Sequence, residues 1–198
     1  MEFWKLFMNI IALWGTAGML FWLCDIISPR PSKTAQLRLA LLFGLLAVYL
    51  LEMAPLFRDV PIRIHTVIPL VASITFGPLA GLGCGIFCGL ESLLFHGFLS
   101  YPAEVYMPLI AALIGSLLRL AGHFRPRNRF FSEGVLKPGW GFAAAFFTQV
   151  LYCFLLYQFY PGESAEALEQ LWICAIPTVL FGAVCSFICL YVYRDRHW

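Results

Sequence analysis

Residues 61–99 read PIRIHTVIPLVASITFGPLAGLGCGIFCGLESLLFHGFL, and this stretch decides the fold. Gly77, Gly81, Gly85 and Gly89 recur every four residues. On a helix of 3.6 residues per turn they lie along one smooth stripe. Such a stripe lets a second helix backbone come close inside a membrane, where packing rather than apolar burial drives association. Gly77-Pro78 predicts a break, since proline suits the first turn of a new helix. Arg63 and His65 sit at one end of the stretch, and Glu91 and His96 at the other. Ionisable groups are costly in a bilayer and face a bundle interior or a wet cavity. The segment therefore predicts a helical membrane hairpin with polar residues gathered near its ends.

The rest of the chain agrees. Its 198 residues are 61% hydrophobic and 12% charged, with a mean hydropathy of +0.82. Those values exclude an ordinary soluble domain and a disordered chain. At about 20 apolar residues per spanning helix, there is room for six or seven passes, so residues 1–198 read as a single all-α polytopic membrane domain with no soluble domain. A net charge of +2, carried in loops, gives nucleic-acid binding no support. Cys24, Cys84, Cys88, Cys153, Cys174, Cys185 and Cys189 all fall in apolar stretches and form no C-x-x-C. They read as small packing residues rather than metal ligands or disulfides. The N-terminus has only Lys5 as a basic residue and no small-residue cleavage site, so it predicts a retained helix.

Seven passes are expected: residues 3–27, 37–56, 62–76, 77–95, 104–120, 140–160 and 171–193. The third and fourth are short, and fit either a full or a re-entrant hairpin. Arg30, Lys33 and Arg38 follow the first pass, Arg119, Arg125, Arg127, Arg129 and Lys137 surround the loop after the fifth, and Arg194 and Arg196 follow the last. The positive-inside rule makes these regions cytoplasmic, with the N-terminus outside and the C-terminus inside. Arg58 and Arg63 fall on the outer side against the rule, with Asp59 between them.

In that topology Glu52, Arg58, Asp59, Arg63, His65, Glu91, His96 and Glu104 share the outer half. Two readings stand open. An Arg63–Glu91 ion pair would pin the third and fourth passes together, whereas a ligand site open to the outside would use Arg63 or His65 to hold an anionic group. For His65 a satisfied structural histidine is preferred to a pH sensor. Gln149, Tyr152, Tyr157 and Gln158 on the sixth pass predict interhelical hydrogen bonds or interfacial anchoring first and ligand contact second. The loop GHFRPRNRFFSEGVLKPG (residues 122–139) sets topology and can meet anionic lipid or a cytoplasmic partner. Pro177 predicts a kink in the last pass. No serine–histidine–acid spacing, phosphate-binding loop or zinc spacing is present. No catalytic residue, cofactor or metal is therefore expected.

The order of elements, with FGPLAGLGCGIFCGL at residues 76–90 and ALEQLWICAIPTVLFGAVCSF at 167–187, resembles the LytS/YhcK-type multi-helix receptor module of bacterial sensor histidine kinases and diguanylate cyclases. The resemblance covers nearly the whole length. It implies a signal receptor that binds a small extracytoplasmic ligand and relays occupancy through its last helix to a cytoplasmic effector or kinase, as a homodimer where a histidine kinase is fed. That family typically carries Asn-x-Arg or Asp-x-Arg before the glycine-rich segment. The nearest counterparts here are Arg58-Asp59 and Arg63-Ile64-His65, a departure that implies different ligand chemistry. The chain ends at RDRHW, where such a receptor would pass into its effector, so the sensor half of a longer protein and a stand-alone protein with a partner both remain open. A second resemblance, to the substrate-binding subunits of energy-coupling-factor vitamin transporters, rests on a comparable F-G-P-x-x-G segment. The expected ligand-binding residues are Arg63, His65, Glu91, His96, Glu52 and Asp59, and the expected packing residues are Gly77, Pro78, Gly81, Gly85 and Gly89.

Overall fold

A computed structural model describes residues 32–52, 56–57, 60–61, 65–95, 102–124, 130–132, 135–159, 175–176, 178–180 and 182–191. The expected first pass, Arg58, Asp59, Arg63, His96 and Pro177 lie outside the described residues. Helix α1 (Lys33–Glu52) starts at Ser32, whose Oγ accepts the Ala35 N–H at 3.2 Å, the bond an N-capping serine supplies. Leu39, Phe43, Leu46, Ala47 and Leu50 point inward, while Leu37, Leu41, Leu45 and Tyr49 point outward. Both faces are apolar, as a helix between a protein core and lipid requires.

A two-residue ladder, β1 (Leu56–Phe57) with β2 (Val60–Pro61), follows. Helix α2 (Val67–Phe76) is buried on every side. Its ten residues rise about 15 Å, half of a hydrocarbon core of about 30 Å, so α2 alone is too short to cross. The expected pass over 62–76 thus shrinks to a buried half-helix, with His65 and Thr66 in the turn before it. Gly77 ends it at φ +123°, a conformation L-residues rarely adopt. Arg119, from a later helix, donates from Nη1 to the Ile74 and Thr75 carbonyls at 2.7 and 2.6 Å. Those carbonyls belong to the last turn, which has no intrahelical donors and carries partial negative charge.

Helix α3 (Pro78–Phe95) begins where Gly77-Pro78 predicts. It runs beside α4 (Pro102–Phe124), four residues longer at its C-terminal end than the expected 104–120. Residues Phe131–Ser132 (β3) and Val135–Leu136 (β4) form a second two-residue ladder. Helix α5 (Pro138–Phe159) matches the expected sixth pass within two residues. The last helix, α6 (Thr178–Tyr191), is tied to α5 by Ser186 Oγ donating to the Gly141 carbonyl at 3.1 Å.

The expectation of six or seven passes is only partly met. Four described helices, over Lys33–Glu52, Pro78–Phe95, Ala103–Phe124 and Pro138–Leu155, are long and apolar enough to span a membrane. Val67–Phe76 and Thr178–Tyr191 are shorter. The apolar core joins α1, α2, α3 and α6 through Phe43, Val71, Phe76, Cys84, Cys88, Cys185 and Cys189. The Phe43 and Phe76 rings stack at 5.3 Å between centroids.

Candidate functional site

The glycine stripe divides among three neighbours. A Cβ on Gly85 would meet the Pro108 carbonyl oxygen at 2.7 Å, and one on Gly89 the Val105 carbonyl oxygen at 2.8 Å. These two glycines press α3 onto the α4 backbone. A Cβ on Gly81 would collide with Ser73 of α2, and one on Gly77 would meet the Gln36 side chain of α1 at 2.7 Å. On α4, a Cβ on Gly115 would lie 2.5 Å from the Leu70 carbonyl oxygen. Ser73 Oγ donates to the Ala112 carbonyl at 2.9 Å in the same region. The half-helix is thereby clamped between α3 and α4.

A polar cluster lies at the other end of α2. His65 and Thr66 are wholly enclosed, and α2 begins at Thr66 without a side-chain cap. Gln149 of α5, also wholly enclosed, donates from Nε2 to Thr66 Oγ1 at 2.9 Å. Its Oε1 has no hydrogen-bond partner among the described residues. The His65 ring meets the Tyr152 ring edge-on, with centroids 5.8 Å apart and planes at 90°. Tyr152 packs with Ala103 and Met107 of α4, and Glu104 of the same first turns is fully enclosed. Gly182 of α6 closes the cluster, since a Cβ there would lie 3.0 Å from Gln149 Cγ, Gln149 Nε2 and Val67 Cγ2. Three elements, the start of α2, the middle of α5 and α6, therefore meet around one hydrogen bond.

Of the expected ligand residues, His65 belongs to this cluster. Glu91 is buried, and its carboxyl meets that of Glu52 across α3 and α1. The Arg63–Glu91 ion pair, one of the two readings left open by the sequence, involves Arg63, which lies outside the described residues with Asp59 and His96. Gln149 and Tyr152 do make the expected interhelical contacts. Thr66 and Gly182 were missed. Thr66 carries a weak signal as the polar neighbour of His65, whereas one glycine in an apolar helix carries none. A cavity of about 500 Å³ lined by Lys137, Pro138, Trp140, Phe187 and Tyr191 is elsewhere. Twelve residues of α5, about 18 Å of rise, separate Lys137 from Gln149.

An enclosed amide, hydroxyl, phenol and imidazole suit the recognition of a small polar molecule. Gln149 Oε1 is a buried acceptor left to be satisfied among the described residues, and a half-helix N-terminus inside a membrane favours a negatively charged or accepting group.

A family model described as 5TMR of 5TMR-LYT matches residues 23–196. Comparison with curated proteins and with solved structures returns no match.

Proposed function

Because the chain belongs to the 5TMR-LYT family, a transmembrane sensory input module, we propose that it binds a small extracytoplasmic ligand at the start of α2 and relays occupancy through α6. The match is to the receptor module that the glycine-rich segment resembles, and favours it over a transporter subunit. One observation carries the reading: His65, Thr66, Gln149 and Tyr152 are gathered at the uncapped start of a buried half-helix, against the last helix.

In this reading the amide end of α2 and His65 hold an anionic or accepting group, Gln149 Oε1 accepts from a donor on the same ligand, and Tyr152 shapes the wall. Arg63, two residues before His65, supplies the countercharge. Asp59 and His96 belong to the approach from outside, and Glu52 with Glu91 close the neighbouring helix ends. With the orientation that the positive-inside pattern predicts, this site lies toward the outside and the end of α6 in the cytoplasm of a bacterial inner-membrane protein. There α6 meets a kinase or other effector, with a homodimer as the working unit.

The test is thermal unfolding of the protein in lipid nanodiscs against a panel of small mono- and dicarboxylates, sugar phosphates and inorganic phosphate. At least one should stabilise the wild type and lose its effect in Arg63→Ala and Gln149→Leu. A panel with no effect, or one that stabilises both variants like the wild type, rejects the site.

A further inference from the structure

Among the contacts around the polar cluster, one joins the candidate site to the element that leaves it. Gln149 is wholly enclosed and holds Thr66 Oγ1 by a single bond from Nε2. Its Oε1 has no partner among the described residues. The same side chain lies against α6 at a glycine, where a Cβ would sit 3.0 Å from both Cγ and Nε2. A terminal amide turns about a soft, nearly two-fold torsion, and here any turn changes both what Thr66 is bonded to and how α6 is seated. Nine residues further along α6, at Tyr191, the helix is about 13 Å of rise away. Between the two points α6 is pinned to α5 by Ser186 on the Gly141 carbonyl and by Leu190 on Gly141. A helix held at one end and touched at the other pivots.

We infer that Gln149 is the positioning residue that couples the start of α2 to α6, its amide held by Thr66 in one seating of α6 and released in the other. This rests on the sensory reading above and names the residue through which that site acts. A ligand that competes for Thr66 Oγ1, or donates to Gln149 Oε1, tips the amide. The interior is close-packed, so the last helix responds by a discrete repacking rather than a graded bend. Gly182 is small for this purpose: a larger residue would wedge α6 away from the amide that drives it.

The inference is testable without the ligand. A trifluoromethyl-phenylalanine label at position 191 reports the far end of α6, and the same label at position 106, exposed on α4, is the control. Spectra are recorded by fluorine NMR on the full chain in nanodiscs. Thr66→Val should shift the 191 signal by more than its linewidth and leave the 106 signal in place, and Thr66→Ser should keep the wild-type spectrum. Thr66→Val leaves the Gln149 amide without its partner, so the double variant Thr66→Val with Gln149→Met guards against simple unfolding. It replaces both partners by apolar groups of similar shape, and should remain folded while showing a shifted 191 signal. A 191 signal unchanged in the folded double variant overturns the coupling, and so does an equal shift at 106, which would mean general loosening. The carboxylate and phosphate panel fails independently, since an inert panel rejects the ligand site while leaving the 191 result as it stands.

Discussion

Two regions of this bundle hold helices together by opposite means. Along the seam between α3 and α4, Gly85 and Gly89 let backbone meet backbone, with no room for a Cβ at either position. At the start of α2, Thr66 and Gln149 meet through one neutral hydrogen bond, and a buried acceptor stays unpaired among the described residues. The seam is specified by volume, which cannot be rearranged without a collision. The polar cluster is specified by one torsion and one bond, which can. In a membrane the first arrangement supplies a frame, while the second supplies the part able to exist in two states. The half-helix α2 shows both kinds of contact: it is clamped along its length by Gly81 and Gly115 and open to change at its N-terminal end.

That contrast sets an order of expected effects. The largest is Gly85→Leu, which drives a side chain into the Pro108 carbonyl at a position with no room for even a Cβ. We expect a loss of about 3 kcal/mol or more, read as failure to recover folded protein or a collapse of thermal stability in nanodiscs. Normal stability there would break the claim that the seam is rigid. Next comes Arg119→Leu, which strips the cation from the Ile74 and Thr75 carbonyls. Hydrogen bonds from charged donors contribute about 1.5–3 kcal/mol, so the variant should unfold at markedly lower denaturant, with Arg119→Lys recovering part of the loss.

Thr66→Val should cost less, about 1 kcal/mol, the usual size of one interhelical hydrogen bond in a bilayer. A chemical-denaturation series on the single and double variants measures it. A cost as large as that of Gly85→Leu would make the polar cluster a second structural clamp and erase the distinction. Smallest is Gly139→Ala in the first turn of α5, where a Cβ meets nothing within 4 Å. It should be neutral or stabilise by about 0.5 kcal/mol through reduced backbone entropy. A substantial loss would show that close packing extends beyond the seam.

Much of the frame was legible in the residues themselves. Gly77-Pro78 marks the break between α2 and α3, and the four-residue glycine spacing points to a close helix contact, because both follow from local sterics. The polar cluster was legible only in part. His65 stood out because ionisable residues are rare in such a chain, but Gln149 lies 83 residues from Thr66 along the sequence, and nothing local joins them. One of the two readings for Glu91 paired it with Arg63, which lies outside the described residues; the fold brings Glu52 of α1 to it, a like-charged neighbour that no local pattern announces. Arg119 was counted among topology-setting cations, yet its guanidinium turns inward to the end of α2. A charge count registers that a cation is present near a helix end and is blind to the carbonyls it can reach.

The sequence by itself determined that this is a membrane bundle broken at Gly77 and packed on small residues. Hydropathy, proline geometry and glycine spacing act within a few residues of chain, and so are written along it. Tertiary structure alone decided that α2 is a buried half-helix, that its start meets α5 and α6, and that Gly182 sits against Gln149. Those contacts depend on which helix faces lie together in three dimensions, and apolar faces that serve equally against lipid or protein leave that choice unwritten in the local pattern.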